Sequence, residues 1–157
     1  MTAQALRRPA LDAWVSLLRG HSALTRSLNA DLVTGHGLTI NDYEALLHLS
    51  HADEYGMKRV DLAERLMLTP SGVTRLLDGL ERAGYVTKGR CASDARVTYA
   101  VLTETGLEKL RTASDTHLRG IRELFENRFS EGELETLAGL LSRLPGAAAA
   151  DETCAPE

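Results

Sequence analysis

The segment from residue 59 to residue 102 limits the fold most, because two helical patterns in it are followed directly by two strand patterns. The second helical pattern begins at Thr69-Pro70, a good N-cap followed by the residue favoured at the first helical position. Gly84 follows it as a C-cap. Its apolar residues recur at helical spacing on one side: Val73, Leu76, Leu77 and Leu80. The pattern therefore predicts two short helices joined by a tight turn, with the second helix docked through one face.

A β-hairpin is predicted directly after this helix pair. Residues 85–88 are typical of a short strand, and residues 97–102 of a second strand rich in β-branched side chains. The residues between them, 89–96, are polar and charged, as a hairpin tip would be. A helix-turn-helix followed by such a hairpin is the order of a winged helix-turn-helix, which we predict for residues 39–102.

Long amphipathic helices flank this lobe on both sides. Leucines recur at helical spacing over residues 11–32 and again after residue 103. The fold class is therefore mainly α (α+β), with about six helices and a two-stranded β-wing. The expected helix boundaries are Gly35 and Gly37, the N-cap Thr39, the return to helix at Thr103, the Ser130–Glu133 capping box, and the Pro145-Gly146 stop.

Charge is distributed unevenly along the chain. The net charge of −4 argues weakly against a nucleic-acid partner, but residues 58–96 hold eight Lys/Arg and five Asp/Glu, a net charge of +3. The rest of the chain therefore carries −7. A basic face on an acidic body lets phosphates bind one surface and be repelled elsewhere.

The helix that opens at Thr69 meets the requirements of a DNA-reading helix. Ser71, Thr74 and Arg75 lie opposite its apolar face, where short polar side chains could reach base edges. Arg75 could pair with guanine or with a phosphate. The alternative is an ordinary surface helix with a Thr-Pro cap. The predicted double-stranded DNA contacts are Thr69, Pro70, Ser71, Gly72, Thr74, Arg75, Lys88, Arg90, Asp94 and Arg96.

The wing supplies the last four of these residues. Arg96 is our choice for the side chain that enters the minor groove, and Asp94 could hold a nearby guanidinium through a bidentate pair. The alternative is a solvated charged turn.

Residues 60–106 read VDLAERLMLTPSGVTRLLDGLERAGYVTKGRCASDARVTYAVLTETG. The LAERL helix, the S-x-x-T-R-L-x-D-x-L-E-x-x-G helix, the D-x-R wing and the L-T-x-x-G helix entry resemble the MarR family of bacterial transcription regulators. The resemblance spans about residues 10–144. One departure is that the wing often reads D-R-R, whereas this chain has Asp94-Ala95-Arg96, so wing affinity could be lower or rest more on Lys88 and Arg90.

The resemblance implies a homodimer that places two recognition helices in successive major grooves of a near-palindromic operator. It implies one domain over residues 1–157, with dimerisation helices at 10–34 and 103–144. The tail, residues 145–157, is expected to be disordered because it is Ala-rich and then acidic. Most members are repressors. Many release DNA when a small phenolic or anionic ligand binds between the dimerisation helices and the DNA-binding lobe.

The leucines that recur along the flanking helices support dimerisation independently of the resemblance. A small winged lobe could not cover them, and a soluble monomer rarely exposes so much apolar surface. The alternative is that these leucines pack on one another within one chain.

Other candidate sites are weaker. Trp14, His21, Tyr43 and His48 could line an effector pocket, or pack at the dimer interface. His48 and His51 share a helical face, yet no third ligand falls at a metal-binding spacing.

Cys91 could sense oxidants but is better explained as an exposed bystander, and Cys154 as an inert tail residue.

The sequence holds no catalytic motif, so we expect neither an enzyme nor a cofactor. It shows no signal peptide and no apolar run near the roughly 20 residues that a bilayer requires. We therefore expect a cytoplasmic protein associated with the nucleoid. The alternative function is a winged-helix module that binds a protein partner.

Overall fold

A computed structural model describes residues 8–90 and 93–146. Within these ranges the chain forms six α-helices, a short 3₁₀ turn and three strands. In chain order they are α1 (Pro9–His36), α2 (Ile40–Ser50), the 3₁₀ turn (Asp53–Tyr55), β1 (Gly56–Lys58), α3 (Arg59–Arg65), α4 (Pro70–Arg82), β2 (Val86–Arg90), β3 (Thr98–Leu102), α5 (Glu104–Glu126) and α6 (Glu131–Leu141).

The helix boundaries follow local capping chemistry. Thr39 and Ser130 each close a capping box, with Asp42 and Glu133 respectively, and Thr69 accepts a hydrogen bond from the Gly72 amide. These predicted caps are confirmed. Each side-chain oxygen satisfies an amide that the first helical turn would otherwise leave unpaired.

Two predicted helix ends need correction. Gly37 adopts a left-handed conformation (φ 66°) and ends α1, whereas Gly35 lies inside that helix. The last helix ends at Leu141 rather than continuing through Leu144. Glycine alone is a weak stop signal, because a helix tolerates one where the next residue still hydrogen-bonds.

The sheet has three antiparallel strands in the order β1-β3-β2, not the two that the sequence predicts. The hairpin of β2 and β3 is confirmed and pairs Lys88 with Ala100 and Arg90 with Thr98. The additional strand, β1, pairs Met57 with Ala100. Three residues are too few to show an alternating pattern in the sequence. β1 is a strand because its backbone pairs with the free edge of β3.

The hydrophobic core lies where α1, α2, α3, α4 and α5 meet the sheet. Its largest fully buried side chains are Leu32, Tyr43, Leu46, Leu49, Leu62, Val73 and Val86. Burying one face of α4 at Val73, Leu77 and Leu80 turns the opposite face outward. The core thereby fixes which α4 side chains meet solvent.

Residues 91–92 and 147–157 lie outside the described residues. The predictions for Cys91, for Cys154 and for most of the tail therefore remain predictions. No helix in the described ranges is both long and apolar enough to span a bilayer.

Candidate nucleic-acid interface

The start of α4 is exposed and capped as the sequence predicts. Thr69 Oγ1 accepts a hydrogen bond from the Gly72 amide at 3.1 Å, and Pro70 occupies the first turn. A β-carbon on residue 72 would lie 3.1 Å from that oxygen, so glycine lets the cap close without displacement. Thr69, Pro70 and Ser71 are exposed, which leaves the positive end of the helix dipole open to an anion such as a phosphate.

The outward face of α4 carries the three polar residues that the sequence selects. Ser71 and Arg75 are exposed and Thr74 is half-buried. The Thr74 hydroxyl donates a hydrogen bond to the Pro70 carbonyl oxygen at 2.8 Å. The Thr74 hydroxyl oxygen in turn accepts a hydrogen bond from Arg59 Nη1 at 3.4 Å.

Arg59 is a site residue that the sequence interpretation missed. It is the first residue of α3, yet its guanidinium reaches the outward face of α4 at Thr74. The Arg59 charge also contributes to lowering the pKa of Asp78, one turn further along α4. The sequence signal is the basic pair Lys58-Arg59 at the start of the supporting helix, which crosses the phosphate backbone in this motif, whereas the contact with Thr74 itself leaves no pattern.

Lys88 stands between two carboxylates of α4 rather than alone. Its Nζ lies 2.8 Å from Asp78 Oδ1 and 3.0 Å from Glu81 Oε2. The hydrogen bond from Lys88 lowers the pKa of Asp78, and the hydrogen bonds to Asp78 and Glu81 raise the pKa of Lys88. The Lys88 charge is thus compensated within the protein, and its predicted contact with DNA stays a prediction.

At the wing tip Arg96 projects into solvent with 96% of its side chain exposed. Asp94 Oδ1 accepts a hydrogen bond from the Arg96 backbone amide at 3.0 Å, while the Arg96 Nε atom lies 3.8 Å away. The predicted bidentate pair is therefore wrong, because a carboxylate two residues away meets the nearer amide first. Arg90 is exposed at the end of β2.

The four residues proposed for an effector pocket have different environments. Tyr43 is buried, and its hydroxyl oxygen lies 3.2 Å from Ser114 Oγ on α5. Trp14 and His21 are exposed on α1, and His48 is half-buried on α2. The pocket stays a prediction. In the described part of the chain, no three His, Cys, Asp or Glu residues come together as a metal site.

One set of large apolar side chains remains uncovered, on and around the helices that flank the lobe. No residue of α6 is buried, although all eleven are described. On α1, Trp14 is 57% and Leu18 is 50% exposed. The other members of this apolar set are Leu11, Leu17, Val33, Phe129, Leu140 and Leu144.

The fold and this surface define a winged helix-turn-helix protein. A sequence model described as MarR family matches residues 36–97. The chain is 34% identical to AbsC, a MarR family transcriptional regulator from Streptomyces coelicolor, with a TM-score of 0.76 over 88% of this chain and 93% of AbsC. The chain belongs to the MarR family, whose members are transcriptional regulators and not enzymes.

Two further relatives are informative. The HTH-type transcriptional repressor YetL of Bacillus subtilis (strain 168) is 30% identical over 110 residues, which are 70% of this chain and 65% of YetL, slightly less than two thirds. Sco3205 of Streptomyces coelicolor, a MarR family regulator crystallised in complex with DNA, is 24% identical with a TM-score of 0.77 over 87% of this chain and 86% of that one. At that identity Sco3205 supports the fold alone.

Proposed function

We propose that this protein is a sequence-specific DNA-binding transcriptional regulator that acts as a repressor in the bacterial cytoplasm. The outward face of α4 carries the proposal, since Ser71 and Arg75 are exposed at its open N-terminal end. A helix held from behind by buried residues, with short polar side chains and a cation at its start, suits the major groove. Repression is supported by the similarity to YetL, which is named a repressor.

The proposed active form is a homodimer joined through α1, α5 and α6. The exposed Trp14 and Leu18 and the absence of any buried residue in α6 support it, because these apolar groups need a partner surface. A two-fold axis would present two α4 helices to successive major grooves, about one helical turn apart. The operator would then be a pseudo-palindrome.

The proposed effector is a small phenolic or anionic molecule that binds where the lobe meets the dimerisation helices. Tyr43 on α2 bridges to α5 there, and its ring centroid lies 4.6 Å from that of His117. The His117 Nδ1 atom is buried and has no hydrogen-bond partner among the described residues. A ligand that displaced Tyr43 would change the position of α2, and with it the supporting helix pair.

Selection of bound fragments from genomic DNA tests the central proposal. We expect enrichment of a pseudo-palindromic site that binds at least 10³-fold more tightly than random duplex of equal length. Equal, weak affinity for selected and random DNA would refute sequence-specific regulation. Regulation in the cell that survives neutralisation of Lys88, Arg90 and Arg96 would instead favour a module that recognises a protein.

Three variants assign roles on that site. Arg96→Ala should weaken selected and random duplexes by a similar factor, whereas Ser71→Ala or Arg75→Ala should change which bases are preferred. Arg111→Ala is the matched control, since this exposed cation lies on α5, outside the helix-turn-helix and the wing. It should leave both affinities unchanged.

A further inference from the structure

Lys88 joins two elements that the chain separates. It lies in β2, the first strand of the wing, and its ammonium group contacts Asp78 and Glu81 on α4 at 2.8 and 3.0 Å. Asp78 and Glu81 are three residues apart, so they lie on one side of the helix. One ammonium group therefore connects the wing to the C-terminal half of the recognition helix.

The local charge argues against a phosphate contact at Lys88. Two carboxylates contact one ammonium group, so the charge of Lys88 is already balanced by its own ion-pair partners. Two of the three Lys88 donors are already directed at oxygen atoms of the protein. A DNA phosphate brought here would meet the Asp78 and Glu81 charges as well as Lys88.

A second attachment holds the base of the same hairpin. The Thr103 hydroxyl donates a hydrogen bond to the Gly84 carbonyl oxygen at 2.7 Å, and the Thr103 amide donates one to the Tyr85 carbonyl oxygen at 3.0 Å. The hairpin is also held through β3, whose residues 99–101 pair with β1, so the sheet is anchored to the start of α3. Lys88 adds a direct contact between the hairpin and α4, three residues beyond Tyr85 towards the tip.

We propose that Lys88 is a positioning residue, which through Asp78 and Glu81 fixes the angle of the wing relative to the recognition helix. This assignment rests on the proposed function, since its purpose is to hold Arg96 at a set distance from α4. The carboxylates of α4 then serve the wing and do not read DNA. Asp78 remains charged throughout the neutral range, because Lys88 lowers the pKa of this carboxyl.

The test uses the full-length protein, a duplex carrying the genomically selected site, and a random duplex of equal length. Lys88→Met should weaken binding to the selected site about 5- to 20-fold, because a wing that is not held in place must be ordered when DNA binds, although Arg96 still makes its contact. The slope of log affinity against log salt should stay the same. Loss of a direct phosphate contact would instead reduce that slope by about one for each subunit.

A charge exchange separates positioning from general charge. Lys88→Glu alone should bind more weakly than Lys88→Met, and the double variant Lys88→Glu with Glu81→Lys should recover most of the affinity. The matched control, Lys88→Glu with Glu126→Lys, has the same net charge but places the new cation at the far end of α5. It should recover none.

Hydrogen exchange provides a readout without DNA. In Lys88→Met, amides of residues 87–90 should exchange faster while those of α5 stay protected, because exposed ion pairs add little to global stability. Unchanged exchange in the wing, or a reduced salt slope, would overturn the positioning role. If wild-type protein does not distinguish the selected from the random duplex, the proposed function fails first, and the exchange result still decides whether Lys88 holds the wing.

Discussion

The α-carbon of Gly106 packs against the carbonyl group of Tyr85 so closely that a β-carbon would overlap the carbonyl oxygen. The same carbonyl oxygen accepts a hydrogen bond from the Thr103 amide at 3.0 Å. Thr103 also caps α5, since its hydroxyl oxygen accepts a hydrogen bond from the Gly106 amide. The L-T-x-x-G motif, through Thr103 and Gly106, thus connects the base of the wing to the start of α5.

Gly106→Ala should therefore lower the free energy of unfolding by about 1–3 kcal/mol, or by more if the backbone cannot move. The added methyl group meets backbone at Tyr85 and the Leu102 side chain at 2.8 Å, neither of which can yield freely. Urea unfolding followed by circular dichroism measures the change. The control is Gly79→Ala in the interior of α4, where a β-carbon meets nothing within 4 Å. It should raise stability by about 0.5–1 kcal/mol, and a loss of stability there would show that crowding is not the cause at Gly106.

Stability should fall as the pH is lowered through the histidine range. Burial lowers the pKa of His117, which packs on Tyr43, and burial followed by the Lys109 and Arg119 charges lowers the pKa of His36. The unfolded chain therefore takes up these protons first, near pH 6.5, and the folded state loses stability as the pH falls below that value. His117→Phe keeps an aromatic ring beside Tyr43 but cannot be protonated.

The measurement is the free energy of unfolding at intervals between pH 7.5 and pH 5. The His117→Phe curve should be flatter than that of the wild type, and His36→Phe should flatten it independently. His51→Phe, at an exposed histidine beyond the end of α2, provides the comparison. Parallel curves for wild type and His117→Phe would rule out the buried imidazole as a source of the pH dependence.

Met67 in the turn between α3 and α4 has a left-handed backbone (φ 51°) and is 92% exposed. Non-glycine residues pay an energetic cost in this conformation, and asparagine tolerates it best. Met67→Asn should raise stability by about 0.5–1 kcal/mol.

Val60→Asn is the comparison for Met67→Asn. Val60 is 67% exposed but lies in helix α3, where asparagine has no advantage over valine. This change should not increase stability. If both variants raised the stability equally, the cause would be the removal of exposed apolar surface and not the left-handed backbone at residue 67.

Trp14→Glu combined with Leu18→Glu should convert the proposed dimer into a monomer. Both side chains are at least half exposed in the single chain, and charges there could not be buried against a partner. Light scattering after gel filtration should show the mass halved, and operator affinity should fall because one α4 helix replaces two. Val60→Glu removes an equally exposed apolar group outside these helices and should leave the mass unchanged. A wild-type mass of one subunit at micromolar concentration would contradict the dimer.

The sequence predicted features that depend on a few neighbouring residues. The caps at Thr39, Thr69 and Ser130 each need only a side chain and an amide three positions away, so their chemistry is local. The outward face of α4 followed in the same way from helical spacing. These features position most of the candidate interface.

Contacts between elements were not predictable. Neither the Arg59–Thr74 hydrogen bond nor the Lys88 contacts with Asp78 and Glu81 leave a pattern in the sequence, because they depend on how helices and strands pack. Lys88 was accordingly interpreted as a free cation. The β1 strand was missed for the same reason, since only its partner β3 gives it structure.

The hydroxyl hydrogen of Thr74 is committed to the Pro70 carbonyl oxygen, which can only accept. A base that faces Thr74 must therefore supply the hydrogen atom itself. In the major groove only the exocyclic amino groups of adenine and cytosine do so. In the proposed complex with DNA we therefore expect A or C opposite Thr74, since guanine or thymine there would set two acceptors against each other.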